Sequence, residues 1–179
     1  MNINKNLLGS LAVMIFGNMV WAETVIELKA YLKQGLAGSA SLTKELFNLS
    51  LDQKNQMKKI AAESSDDSFV FYYGKSAQGK LEIACTVVSQ QGKEGPMTIG
   101  VCFDPSGLVN KVTILEFSEE RGKPVKEQTF LKQFNGKKVS DAFQVGKDID
   151  GISGATISSK AVSEAVRKAG FAFKTFVKK

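Results

Sequence analysis

Four short β-prone segments follow one another between residues 68 and 118: "SFVFYYGK" (68–75), "KLEIACTVVSQ" (80–90), "PMTIGVCFD" (96–104) and "LVNKVTILEFS" (108–118). They are rich in β-branched and aromatic residues, and Gly-containing turns separate them. A parallel pair needs a crossover of a dozen or more residues, and none of these gaps supplies one. The spacing therefore predicts an antiparallel meander. "DPSG" (104–107) is one of its turns, with Pro105 presetting the backbone angle of a type I turn.

Helical periodicity lies on either side of the strands. "ETVIELKAYLKQGL" spaces Val25, Leu28, Tyr31 and Leu32 on one face, and Gly35 and Gly38 end it. "SLDQKNQMKKIAAE" opens with Ser50 and Gln53 in capping-box spacing and turns Met57, Ile60 and Ala61 inward. "KEQTFLKQFNGKK" directs Phe130, Leu131 and Phe134 inward and stops at Gly136. A last helix begins after Thr156, with Val162, Ala165, Val166, Ala169 and Phe173 as its buried stripe and Lys/Arg side chains on the outer face. The expected class is α+β, an antiparallel β-meander packed with helices.

Residues 1–22 have the layout of a secretory leader: Lys5, the apolar run "LLGSLAVMIF", then "NMVWA" with small residues before a cleavage point after Ala22. The run is short of the ~20 residues a membrane span needs. The expected organisation is a leader (1–22), an N-terminal helical segment (23–65) and a main domain (66–179). The mature chain is expected to be exported, periplasmic or extracellular, with no stable membrane anchor after cleavage. Loss of Lys5 takes the net charge from +6 to +5. The lysines are scattered, which suits a basic surface facing an acidic partner or a phosphate rather than nucleic acid.

The chain has no histidine, which removes the commonest acid–base catalyst and metal ligand. No catalytic residue and no metal site is assigned, so any redox function rests on an acquired cofactor. Cys85 and Cys102 form no C-x-x-C motif. A symmetric "GKEG" loop (92–95) sets them directly opposite each other, which suits a disulfide in an export compartment. Pairing the apolar faces Leu81/Ile83/Cys85/Val87 and Met97/Ile99/Val101/Phe103 shifts the register by one and separates them. Two buried free thiols are the default expectation.

"DIDGISGATISSKAVSEAVRKAG" (148–170) places small residues and a threonine at the start of the last helix. Helix N-termini expose unpaired N–H groups and a partial positive charge that suit phosphate. Gly154 and Ala155 leave room for a ligand, and Ser158 and Ser159 offer hydroxyls. The plainer alternative is that Thr156 only caps the helix.

The longer pattern of Asp150, Ser153, Gly154, Ala155 and Thr156, then Ser158 and Ser159, resembles the FMN-binding domain family. Its members include the C subunit of the sodium-translocating NADH:quinone reductase, the Rnf-type G subunit and small exported flavoproteins. The resemblance implies covalent FMN, joined through its phosphate to Thr156 by a flavin transferase, with Asp150 in the recognition sequence. It also implies that the phosphate lies against Ser153, Gly154 and Ala155. The family's Glu-x-x-Gly element near the flavin corresponds to Glu119, Arg121 and Gly122 in "EERG", with Arg121 where the respiratory subunits have proline.

Three functions follow. The chain is an exported electron carrier, more a redox carrier than a stand-alone enzyme, serving a soluble or membrane-bound redox partner. Alternatively it is the flavin-bearing subunit of a larger membrane or periplasmic reductase, or a non-flavin binding module with Thr156 as a cap. Tyr72, Tyr73, Phe103 and Phe117 are aromatic candidates for the flavin ring, although core packing is the commoner use of strand aromatics.

Overall fold

All four segments of the meander are strands, and two further strands extend the sheet. The computed structural model describes residues 23–60, 66–119 and 122–177, so the leader and Arg121 lie outside the described residues. The elements in chain order are β1 (Glu23–Thr24), α1 (Leu28–Gly35), β2 (Ser41–Asn48), α2 (Leu51–Ile60), β3 (Ser68–Lys75), β4 (Leu81–Gln91), β5 (Pro96–Phe103), β6 (Val109–Phe117), α3 (Gln128–Leu131) and α4 (Thr156–Ala172). The sheet has the order β1-β6-β5-β4-β3-β2, and every pair is antiparallel. This is the α+β meander that the spacing predicts.

The stretch 23–65 differs from its purely helical reading. It holds α1 and α2, and also both edge strands of the sheet. β2 is exposed along almost its whole length and is held by backbone pairing to β3 rather than by an apolar face. Phe47 is its one packing residue, stacked on Phe176 at 4.7 Å. The capping box of α2 forms as expected: the Ser50 amide donates to Gln53 Oε1 and the Gln53 amide to Ser50 Oγ.

Both faces of the sheet are covered. On one, Ala84, Thr86, Val88 and Gln90 of β4 sit opposite Phe103, Val101, Ile99 and Met97 of β5, under α4 and α3. On the other, α1 lays Tyr31 and Leu36 over Cys85, Cys102 and Leu115, with Ile83, Val87 and Tyr72 around them. The register pairs Cys85 with Cys102, and the two form a disulfide. The expectation of free thiols is thus overturned. Its apolar-face argument assumed that only one face of β4 is buried, whereas a strand covered on both faces carries apolar residues on both. Gly35 of α1 lies directly over the bridge, where a Cβ would come 2.8 Å from the Cys102 sulfur.

Removing the bridge by a Cys85→Ala/Cys102→Ala double substitution is expected to cost about 3 kcal/mol, the chain-entropy value for a loop of this length. The two cysteines are 17 residues apart in sequence. Urea unfolding of the oxidised and double-substituted chains measures it, and equal midpoints would exclude a bridge in the native protein.

The DPSG turn closes as expected, with the Gly107 amide bonded to the Asp104 carbonyl. Asp104 Oδ1 accepts from the Ser106 amide, the Ser106 hydroxyl and the Leu108 amide. Partial desolvation raises this carboxyl's pKa, but those hydrogen bonds outweigh it and hold the pKa below the ordinary value.

The last helix departs from its expected outer face in one place. Lys168 is 1% exposed and points inward. Its ammonium donates to the Ser89 carbonyl at 2.6 Å and pairs with Asp66 at 2.6 Å.

Candidate functional site

The approach to α4 is fixed by side chains bonded to backbone. Gln133 grips Asp150 from both sides, its Oε1 accepting from the Asp150 amide at 2.7 Å and its Nε2 donating to the Asp150 carbonyl at 3.2 Å. The chain then turns over Ile152–Ala155, closed by the Ala155 amide on the Ile152 carbonyl. Gly154 has φ +79°. That is the left-handed angle a type II turn needs at its third residue, and glycine adopts it without strain. Ser159 locks turn to helix: its hydroxyl donates to the Ala155 carbonyl at 2.9 Å and accepts from the Ile152 amide at 3.2 Å.

Thr156 is the first helical residue, and the capping position belongs to Ala155, with no side-chain cap bond. Thr156 is exposed, and among the described residues its hydroxyl has no partner. The capping role is therefore overturned. Ser159 reaches back from inside the first turn and organises the terminus instead. The first intrahelical bond runs from the Ser159 amide to the Ala155 carbonyl. The amides of Thr156, Ile157 and Ser158 are thus the ones a helix start leaves without an intrahelical acceptor.

Beside Thr156 lies a buried carboxylate. Glu119 is 5% exposed. It accepts from the Ser158 hydroxyl through Oε2 and from the Lys93 amide through Oε1. Glycines crowd it on two sides: a Cβ on Gly92 or Gly122 would collide with its oxygens. Glu119 therefore ties the end of the sheet, the β4–β5 hairpin tip and the first turn of α4 together. Around this knot is a cleft of about 220 Å³ lined by Lys93, Glu94, Glu119, Gly122, Gly154, Ala155, Thr156, Ile157 and Ser158.

The structure brings Thr156, Gly154, Ala155, Ser158, Glu119 and Gly122 to one cleft. It leaves Asp150, Ser153 and Ser159 outside the cleft lining, on the strap and turn that lead to it. The donor hydrogens of Ser158 and Ser159 are engaged internally, so Thr156 presents the free hydroxyl. Tyr73, Phe103 and Phe117 belong to the main core and Tyr72 to the α1 side, and none lines the cleft. Lys93, Glu94 and Ile157 line it without having been expected. "GKEG" reads locally only as a turn, and nothing in it signals that its tip reaches residue 119. Ile157 is 51% exposed, an apolar side chain standing beside the free hydroxyl. A larger cavity of about 690 Å³ lies elsewhere, lined by Ser106–Leu108, Lys138–Ser140 and Lys174. It has no comparable unpartnered nucleophilic hydroxyl at a helix start, so chemistry rather than volume selects the smaller cleft.

Gly154→Ala is expected to cost about 1 kcal/mol from backbone strain. No atom lies within 4 Å of where its Cβ would be, so no clash contributes. Urea unfolding reads the cost, and a variant as stable as wild type would contradict the left-handed turn.

Residues 92–170 match the FMN-binding domain family. That interval contains the hairpin tip, Glu119, the turn and most of α4, and so every residue that lines the cleft. No curated protein matches the chain. Among solved structures, NqrC of Shewanella oneidensis is similar with a TM-score of 0.56 and 17% identity, over 80% of this chain and 85% of that one. The C subunit of the Na⁺-translocating NADH-quinone reductase from Parabacteroides distasonis gives 0.55 and 16%, over 76% and 78%. The fold is therefore shared with those two proteins, including the part of this chain that precedes the family match.

Proposed function

We propose that this chain is an exported electron-transfer flavoprotein carrying FMN through a phosphoester on Thr156. The observation that carries the reading is the exposed Thr156 hydroxyl, which caps nothing, inside the segment that matches the FMN-binding domain family. The residues present fit such a group. The free amides of the first turn of α4 suit phosphate oxygens, and Gly154 has open space where a side chain would stand. Lys93 supplies a positive charge and Ile157 an apolar surface at the same cleft. When bound, FMN supplies one- or two-electron exchange.

The protein's own contribution is attachment and placement. Gly154 and Ser159 orient the Thr156 hydroxyl outward, and Glu119 holds the cleft wall. The cleft is too small to enclose a whole flavin, which leaves the ring accessible to a partner. Export is supported by the leader layout of residues 1–22 and by the Cys85–Cys102 bridge, since disulfides persist in oxidising compartments. Among the described residues, no helix is long and apolar enough to cross a membrane. Maturation calls on a flavin transferase.

A second reading, the flavin-bearing subunit of a larger reductase, is favoured by the fold neighbours, since the Parabacteroides protein is itself one subunit of a reductase. Co-purification with a substrate-binding partner would select it, and a reducible, partner-free protein would select the carrier.

The test is the intact mass of the exported protein, with peptide mapping across residues 148–170. The expected product starts at Glu23 and carries FMN less one water on Thr156. A bare chain from cells with an active flavin transferase would remove the cofactor from the proposal.

A further inference from the structure

A second polar cavity lies along α4, past the flavin cleft. It measures about 360 Å³ and is lined by Phe143, Gln144, Val145, Lys160, Ser163, Glu164 and Arg167. Lys160, Ser163 and Arg167 fall at spacings of three and four, so they share one face of the helix. Ser163 is 2% exposed, and its hydroxyl is buried with no hydrogen-bond partner. Arg167 Nε is likewise buried and unpartnered. A buried donor left unsatisfied is costly, and native interiors rarely tolerate two side by side. Neither belongs to the Thr156 site or to the core.

The opposite wall is pre-formed. Phe143 holds a left-handed φ of +43°. It is kept there by Asp148, whose carboxylate accepts from the Phe143 and Gln144 amides at 3.0 and 2.6 Å. Gln144 and Arg167 also line the neighbouring cavity, which Lys59, Lys174 and Asp141 border, the Asp141 carboxylate accepting from the Lys138 amide at 2.9 Å. Among the described residues, the only acid in the lining is Glu164. Its Oε2 accepts from Gln90 at 3.0 Å, and its Oε1 faces Arg167 Nη2 at 3.7 Å. The cavity thus offers cationic and hydroxyl donors, and its one carboxylate is already engaged.

We propose that this cavity is an oxyanion-binding site, with Arg167 and Ser163 as its donors and Lys160 at its mouth. Phosphate and carboxylate share the chemistry: each supplies the acceptors that Ser163 Oγ and Arg167 Nε lack, and Arg engages either in paired hydrogen bonds. The ligand is either a free small anion or a glutamate or aspartate side chain of a docking protein. The site stands whether or not Thr156 carries flavin, because it uses none of the cleft residues.

The experiment titrates the full exported chain with inorganic phosphate, and separately with a penta-glutamate peptide, at constant ionic strength. Amide NMR shifts are followed at Gln144 and Lys160–Arg167, and at Gly154–Ile157 as the separate flavin end. Saturable shifts at the first set, weakened about tenfold in Arg167→Gln and reduced in Ser163→Ala, are expected. Phosphate binding alone indicates a small-anion site, and tighter peptide binding a docking carboxylate. Wild-type shifts confined to 154–157, no shifts with either probe, or variants that bind like wild type would each overturn the site. Thermal unfolding of both variants checks that they remain folded, and should Arg167→Gln fail to fold, Ser163→Ala carries the comparison.

Discussion

Thr156→Ala is expected to abolish covalent flavin completely while leaving the unfolding free energy within about 0.5 kcal/mol of that of the unflavinylated wild-type chain. The two halves of this result come from the same geometry. The Thr156 side chain is exposed, makes no cap bond and is not part of the core, so deleting its hydroxyl removes no folded-state interaction. Alanine is also the better helix former, which offsets part of any small loss. A threonine that capped the helix would instead cost about 1 kcal/mol on this substitution and leave colour unaffected. Absorbance of the exported protein in the flavin region and urea unfolding of the same sample separate the two. A yellow Thr156→Ala protein with flavin retained after denaturation would put the attachment elsewhere.

The turn ahead of α4 was legible in part, because some of its requirements are local. Gly154 and Ala155 show as small residues at fixed positions, whereas residue type alone favours Thr156 as a cap and does not show that its hydroxyl stands free. Glu119 was legible only as an element of a family pattern. Its physical role depends on the 92–95 hairpin tip and Ser158 converging on it from distant parts of the chain. The meander was readable from apolar runs and short gaps. β2 was not, because a strand held mainly by its backbone needs no apolar alternation. The disulfide was left open for a related reason. Periodicity along β4 could not reveal that α1 buries the face carrying Cys85, since α1 comes from a segment some fifty residues earlier. Local pattern fixes an element's type, and only tertiary contact decides how many of its faces are buried.

Lys168 shows the same limit and has a large expected effect. In sequence it is one of several basic residues of the last helix, indistinguishable from Lys160 on the solvent side. In the fold its ammonium meets the Ser89 carbonyl, Gln90 Oε1 and the Asp66 carboxylate, joining α4 to the end of β4 and to the chain just ahead of β3. Lys168→Ala is expected to destabilise by about 3 kcal/mol, the lower end of the range for removing one partner of a buried pair. The lower end applies because Asp66 keeps 22% of its side-chain surface in water and is not stranded as a fully buried charge. Lys168→Met restores most of the apolar stem but none of the donors. It should still lose about 2 kcal/mol, because the Ser89 carbonyl and Gln90 lose their shared donor. Urea unfolding of the two variants separates packing from polar satisfaction. A methionine variant as stable as wild type would mean that the ion pair only offsets its own desolvation. A further loss from Met to Ala alone would then assign the whole contribution of Lys168 to its methylenes.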